Sequence, residues 1–298
     1  MSGDVPSYTG VLPVYKEEGF TSNDVVAKLR GILHMKKIGH TGTLDPAATG
    51  VLPVCLGKAT KIISLLEDTD KTYKCQCRLG VLTDTEDMTG NIVETADVSG
   101  ITQSDIIKTL DSFTGRYMQV PPMYSAKKVG GKRLYELARA GIEIERKPCE
   151  VFIKSIRATS FDPENDEFTF VVECSKGTYV RSLCRDIGER LGTKASMSSL
   201  QRIRACGMDI EEALTLSQTE ELVQKGELEG RIRCIDEMFP GYEKIGVKGE
   251  NEKRVRNGNA LRLDVPDGKY RVYLSGGTFA AIYEVQDKRA LLCGYFLT

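Results

Sequence analysis

The sequence predicts an α+β fold, with mixed strand and helix over residues 1–240 and a small β-rich segment over 241–298. Three observations carry that reading: a capped helical stripe early in the chain, two-residue alternation in its middle, and a late shift to apolar runs punctuated by turn residues. At 298 residues with 41% hydrophobic content, the chain can bury a large core, and its length suits one large domain or two unequal ones.

Thr21 to Asp24 forms a T-x-x-D cap, after which Val25, Val26, Leu29, Ile32 and Leu33 share one face of a helix expected to end before Lys36. Tyr73, Cys75, Cys77 and Leu79 alternate with Lys74, Gln76 and Arg78, which predicts a strand with Tyr73 on its inward face. A loop over 127–132, expected to stay mobile because of Gly130-Gly131, precedes a short helix over 134–140. Residues 168–172 read as a strand, Lys176-Gly177 as a turn, and 180–191 as a helix with Leu183, Ile187 and Leu191 four apart. Tyr179 and Arg181 therefore sit at a junction of elements, where a rigid scaffold tends to present binding residues. From about Gly241 the runs YRVYL, TFAAIYEV and ALLCGYF predict strands, either of a small β domain or of an appendage that only packs on the main domain.

Composition excludes several classes. No apolar run approaches the 18 or so residues of a membrane span, and the start MSGDVPSYTG has neither a basic n-region nor an apolar h-region, so the cytoplasm is the expectation. Nine scattered cysteines without a C-x-x-C pair read as reduced thiols, and with only His34 and His40 as histidines no metal is expected. A net charge of −1 does not announce a nucleic-acid partner, but residues 127–147 hold seven basic side chains against three acidic ones. Lys127, Lys128, Lys132 and Arg133 lie in this stretch, either as a basic arm or as a solvated face.

The most informative stretch is 36–62, KKIGHTGTLDPAATGVLPVCLGKATKI. Between Ile38 and Leu56 only His40, Asp45 and Cys55 can ionise. Asp45-Pro46 can open a turn by itself, since aspartate bonds nearby backbone amides and the residue before proline avoids the helical region. Yet Gly39, Gly42 and Gly50 permit sharp turns or close approach, while Leu44, Val51, Leu52 and Val54 can anchor the flanks in a core. A carboxylate in such apolar company calls for a basic partner elsewhere in the chain. Two rival motifs fail. Gly50 to Lys58 has six residues between its glycines where a phosphate-binding loop has four, with Ala59 in place of Ser or Thr. Asp84, Glu86 and Asp87 suggest a calcium loop, but Met88 occupies a ligand position and Gly90 comes one residue late.

The stretch around Asp45 resembles the signature of the TruB family of tRNA pseudouridine synthases, and three further blocks follow in the family's order: KTYKCQCRLGVLTDTEDMTG at 71–90, VPPMYSAKKVGGKRLYELARAG at 120–141 and CSKGTYVRSLCRDIGERLG at 174–192. The resemblance is strong over about the first 210 residues. It implies a pseudouridine synthase fold, with a central mixed, mainly antiparallel sheet flanked by helices and a short C-terminal RNA-binding domain of the PUA type. It further implies Asp45 as the catalytic carboxylate, Tyr73 and Tyr179 beside the target base, Arg181 as the ion partner of Asp45, His40 holding the flipped-out nucleotide, and Leu200 as an apolar wall. An insertion at about 124–150 becomes an RNA clamp. The implied reaction is conversion of uridine 55 in the T loop of tRNA, without cofactor, by a monomer with no obligate protein partner. The alternatives are a related enzyme working on another structured RNA or inside a guide-RNA particle, and a non-catalytic RNA-folding or RNA-binding module.

Overall fold

The structure, a computed structural model, describes residues 7–297 apart from 68, 126 and 143; the side chains of Glu67, Lys128, Val129, Lys132, Arg133 and Arg139 also lie outside the described part. The chain opens with strand β1 (Gly10–Lys16), helix α1 (Ser22–Ile32), β2 (Ile38–His40), β3 (Thr49–Leu56) and the short α2 (Ile63–Glu67). Next come β4 (Lys71–Leu79), the hairpin β5 (Val81–Thr83) and β6 (Ile92–Thr95), α3 (Gln103–Asp111) and β7 (Gly115–Gln119). A second, minimal hairpin of β8 (Lys128–Val129) and β9 (Lys132–Arg133) leads to α4 (Leu134–Arg139). The long β10 (Cys149–Asp162) and β11 (Glu167–Cys174) are followed by α5 (Val180–Arg190), β12 (Ala195–Ala205), β13 (Met208–Asp209) and α6 (Leu216–Lys225). The last stretch holds β14 (Glu243–Gly246), α7 (Gly249–Arg256), β15 (Leu261–Arg262), β16 (Gly268–Tyr273), β17 (Phe279–Gln286) and β18 (Arg289–Tyr295).

The main sheet runs in the order β1-β3-β12-β4-β11-β10-β7, with β2 added on β3 and β13 on β12. Every neighbour along it is antiparallel except β3 and β12, which meet in parallel at Thr49–Gln201 and Gly50–Arg202. This is the mixed, mainly antiparallel sheet expected from the sequence. The cap of α1 forms as read: Thr21 Oγ1 accepts from Asp24 N at 3.1 Å and the Asp24 carboxylate accepts from Thr21 N at 2.8 Å. Such a cap contributes about 1 kcal/mol. Val25, Val26 and Leu29 then bury against β1 and β3, while Tyr73, Cys75, Cys77 and Leu79 bury on β4 under α5, as their alternation predicts.

The segment 127–132 differs from the loop expected, because Gly130 and Gly131 both take positive φ and close the β8–β9 hairpin. Two-residue turns with positive φ at both positions match the twist of a hairpin, which is why this glycine pair makes one. The nine cysteines are free thiols, and burial pushes Cys55 and Cys174 up to about 12. Among the described residues no helix is long and apolar enough to cross a membrane.

The C-terminal strands form their own sheet in the order β14-β16-β17-β18-β15, giving the β-rich unit expected there. Its attachment is apolar as well as polar. Ile282 and Phe296 pack in one cluster with Val11, Cys55 and Ile62 of the main domain, Lys58 donates to the Phe296 carbonyl at 3.1 Å, and Lys61 donates to that of Tyr295 at 2.7 Å.

Candidate active site

Asp45 sits on the loop between β2 and β3, and that loop is fastened at several points. Leu44 N donates to Ser22 Oγ at 2.9 Å, and Gly19 N and Lys16 Nζ both donate to the Pro46 carbonyl at 3.0 Å. Leu44 and Ala48 are buried in the main core. Lys16 is fully enclosed and also donates to Phe20 O at 2.6 Å and Glu17 O at 3.1 Å; burial lowers its pKa, opposed by the nearby Asp45 charge. The backbone makes the turn anticipated from Asp-Pro, with Ala48 N donating to Asp45 O at 3.0 Å. The carboxylate is left for something else.

That something is Arg181, in the first turn of α5, whose Nη2 lies 3.0 Å from Asp45 Oδ2. The Arg181 side chain is 7% exposed against 41% for Asp45, so a buried cation meets a carboxylate open to solvent on one side. Arg181 also donates to Thr85 O at 3.0 Å and Tyr124 O at 2.8 Å, and its Nη1 lies 3.8 Å from Asp87 Oδ2. A single guanidinium thus ties three separate chain segments. The 85–87 segment is itself pinned to α5: Ser182 Oγ donates to Glu86 Oε2 at 2.6 Å and Arg185 pairs with the same carboxylate. The acidic cluster weighed as a calcium loop is therefore committed to arginines and hydroxyls, Asp87 Oδ1 accepting from Thr85 Oγ1 at 2.8 Å and from Thr89 N at 3.0 Å.

These groups surround a cleft of about 770 Å³, lined by Asp45, Tyr73, Tyr179, Arg181 and Leu200 among others. Tyr73 is 9% exposed on β4, and burial raises its pKa. Tyr179 caps the start of α5, where the enclosed Gln119 amide grips its peptide on both sides, accepting from Tyr179 N at 2.8 Å and donating to Tyr179 O at 3.0 Å. Leu200, on β12, separates this cleft from a smaller polar one of about 350 Å³. So five of the residues singled out in the sequence come together from strands β4 and β12, the start of α5 and the β2–β3 loop.

Others do not. His40 stands at the end of β2, where its Nδ1 accepts from Gly42 N at 3.3 Å, outside the cleft wall that begins at Thr41. Lys127 lies on the insertion with its ammonium against Cys149 Sγ, also away from the cleft. The side chains of Lys128, Lys132 and Arg133 fall outside the described part, and only their backbone hairpin is placed. Among the cleft residues not anticipated are Asp87, Lys71, Arg202 and Ser125. Ser125 Oγ is buried with no hydrogen-bond partner among the described residues, and burial lowers the pKa of Lys71. No local pattern marks Arg202, and Lys71, two residues before Tyr73, shares the inward face of β4, where a lysine is not expected.

A lone accessible carboxylate held by a buried arginine, beside two tyrosines and an apolar wall, can receive a flat aromatic base and place an oxygen against the sugar that carries it. Residues 30–180 match the model of the TruB family pseudouridylate synthase N-terminal domain, and residues 181–239 that of the tRNA pseudouridylate synthase B C-terminal domain. A tRNA pseudouridine synthase B of Clostridium perfringens strain 13 is 45% identical over 287 residues, covering 94% of this chain and 96% of that protein. One from Staphylococcus epidermidis strain RP62A is 46% identical over 264 residues, 87% of each chain. The crystal structure of a Cbf5–Nop10–Gar1 complex superposes with a TM-score of 0.73 over 97% of this chain and 84% of that one, at 24% identity, which establishes a shared fold. With both family models matching in tandem across the residues that build the cleft, the chain belongs to the TruB family of pseudouridylate synthases.

Proposed function

We propose that this protein isomerises uridine to pseudouridine in tRNA, at position 55 of the T loop, with Asp45 as the catalytic carboxylate. The observation that carries the proposal is the Asp45–Arg181 pair at 3.0 Å on the wall of a cleft roomy enough for a nucleotide. The relatives at 45–46% identity bear the name tRNA pseudouridine synthase B, which supports the same class of substrate.

The reaction breaks the N-glycosidic bond, turns the detached uracil and rejoins it through C5, with no net redox change and hence no need of a cofactor. Asp45 is accessible enough to act on the sugar, as a nucleophile or as a base toward one of its protons, and Arg181 holds its carboxylate in place. The target base leaves its stack and enters between Tyr73, Tyr179 and Leu200, surfaces of the kind base-flipping enzymes use. Basic residues of the insertion, Lys127, Lys128, Lys132 and Arg133, hold phosphates of the T stem-loop. The C-terminal β unit, read as a short PUA-like domain over 241–298, extends the RNA contact, with 1–240 as the catalytic domain. The protein acts as a cytoplasmic monomer.

The test is an unmodified tRNA transcript tritiated at uracil C5, incubated with wild type and Asp45→Asn. Release of one tritium per tRNA by wild type alone, abolished in a transcript with cytidine at position 55, is the expected result. Release that persists in the cytidine transcript defeats the position; no release with tight RNA binding retained defeats the enzymatic reading and favours a binding module.

A further inference from the structure

Arg202 is the largest fully buried side chain among the described residues, 1% exposed, and no described carboxylate lies within ion-pair distance of it. A buried guanidinium without a counter-charge is costly unless its donors are met by acceptors. Here they are met by backbone. Nε donates to Val51 O at 2.7 Å and Nη2 to Gly42 O at 3.3 Å, while Tyr73 stands directly across the β12–β4 ladder from Arg202 and lines the same cleft. The two acceptors belong to the loop that carries Asp45 and to the strand behind it, and the ladder partner Tyr73 belongs to the strand that faces the cleft.

The close fit is visible from the glycines. At Gly50 an added Cβ would meet the Arg202 carbonyl oxygen at 2.2 Å, so β3 and β12 approach nearer there than any side chain would allow. At Gly42, with φ of 124°, an added Cβ would stand 3.9 Å from Arg202 Nη1, which places the guanidinium directly behind the catalytic loop where it lines the cleft.

We propose that Arg202 is a positioning residue for the isomerisation: one enclosed guanidinium ties the Gly42 carbonyl, three residues ahead of Asp45, to the Tyr73 ring and so fixes the spacing between the carboxylate and the surface that receives the base. This rests on the roles given above to Asp45 and Tyr73. Its charge also opposes the burial that raises the Tyr73 hydroxyl. Arg181 orients the carboxylate from the helix side, and Arg202 does the complementary work from the sheet side.

The experiment compares wild type, Arg202→Lys and Arg202→Met, each also in a Tyr73→Phe background, by single-turnover tritium release and by filter binding of the same tRNA. Misplacement by about 1 Å costs on the order of 10²-fold in rate, which is the loss expected for Arg202→Met, with Arg202→Lys intermediate. Affinity stays within about threefold of wild type, because phosphate contacts dominate binding. In the Tyr73→Phe background the further loss from Arg202→Met shrinks to less than about threefold, since coupled residues are not additive. Full additivity, or a loss confined to affinity, overturns the proposal. Should Arg202→Met fail to fold, Arg202→Lys decides, and a wild-type rate there overturns it equally. Hydrogen exchange of the 39–48 backbone in RNA-free Arg202→Lys separates the tie from the activity. Faster exchange than wild type supports the tie even if wild type releases no tritium, in which case the functional reading alone has failed; unchanged exchange overturns the tie.

Discussion

Gly50→Ala perturbs one of the two ladder positions where the strand behind the Asp45 loop pairs with β12. The added methyl would stand 2.2 Å from Arg202 O and 2.8 Å from Arg202 N, both backbone atoms of a buried strand that cannot swing aside as a side chain could. Gly50 also has φ of 107°, a conformation that costs a non-glycine residue about 1–3 kcal/mol. Overpacking against the fixed backbone adds about 1–3 kcal/mol more. Gly42→Ala supplies the control: its φ of 124° carries the same kind of strain, but its new methyl meets nothing nearer than 3.9 Å. The two variants differ, therefore, by the clash alone. For a chain of this size each kcal/mol lowers Tm by about 2–4 °C, so Gly50→Ala is expected to melt about 2–12 °C below Gly42→Ala. Thermal unfolding followed by circular dichroism at matched concentration reads the difference. If the two variants melt together, β3 and β12 part without cost, and the close approach is not what requires glycine at position 50.

Arg181→Met removes the partner of Asp87, whose side chain is 13% exposed, as well as that of Asp45, and stranding a buried charge costs about 3–5 kcal/mol. Asp45→Asn breaks only the pair at the more open carboxylate, worth about 0–1 kcal/mol, so urea unfolding should find Arg181→Met much the weaker protein; comparable losses would mean that Asp45 is structural. Neutralising Lys127, Lys128 and Lys132 together should flatten the dependence of log Kd for tRNA on log salt by about 2–3, and an unchanged slope removes the insertion from the RNA interface. Glu252 accepts from Ser275 N at 3.2 Å and from Arg256, bonds that hold its carboxyl down at about 2. A carboxylate depressed in the folded state adds stability above its ordinary value of 4.5, and that contribution fades as pH falls toward about 2. The melting gap between wild type and Glu252→Gln should thus be widest near neutrality and close in acid; a gap that is constant with pH refutes the assignment.

Much of this architecture is legible in the sequence because its signals are local. The Thr21–Asp24 box and the alternation from Tyr73 to Leu79 each declare an element within one turn or one strand, and each stands where expected. The demand of Asp45 for a cation follows from its apolar neighbours, and the structure puts Arg181 beside it. What escapes is set by distance along the chain. The burial of Arg202 depends on carbonyls of Gly42 and Val51 some 150 residues away, and nothing near Arg202 hints at them. Strand β10 hides because bulges near 153–155 and 158–160 break its alternation, and because an apolar residue, Phe152, stands on its exposed face. Helix α7 hides because GENEKRVR buries only Val255, so no stripe can form. Asp87 was visible but weighed as a metal ligand, because a local motif cannot reveal an arginine 94 residues later.

The apolar cluster shared by Phe296, Ile282 and Val11 bears on how the protein comes apart. Two domains joined by a wet interface melt separately, whereas here the last strand completes the core on which the first strand rests. Cutting the chain near residue 240 would leave Val11, Cys55 and Ile62 facing water on one side, so the truncated piece loses a wall rather than an accessory. The whole molecule is expected to denature in one calorimetric peak.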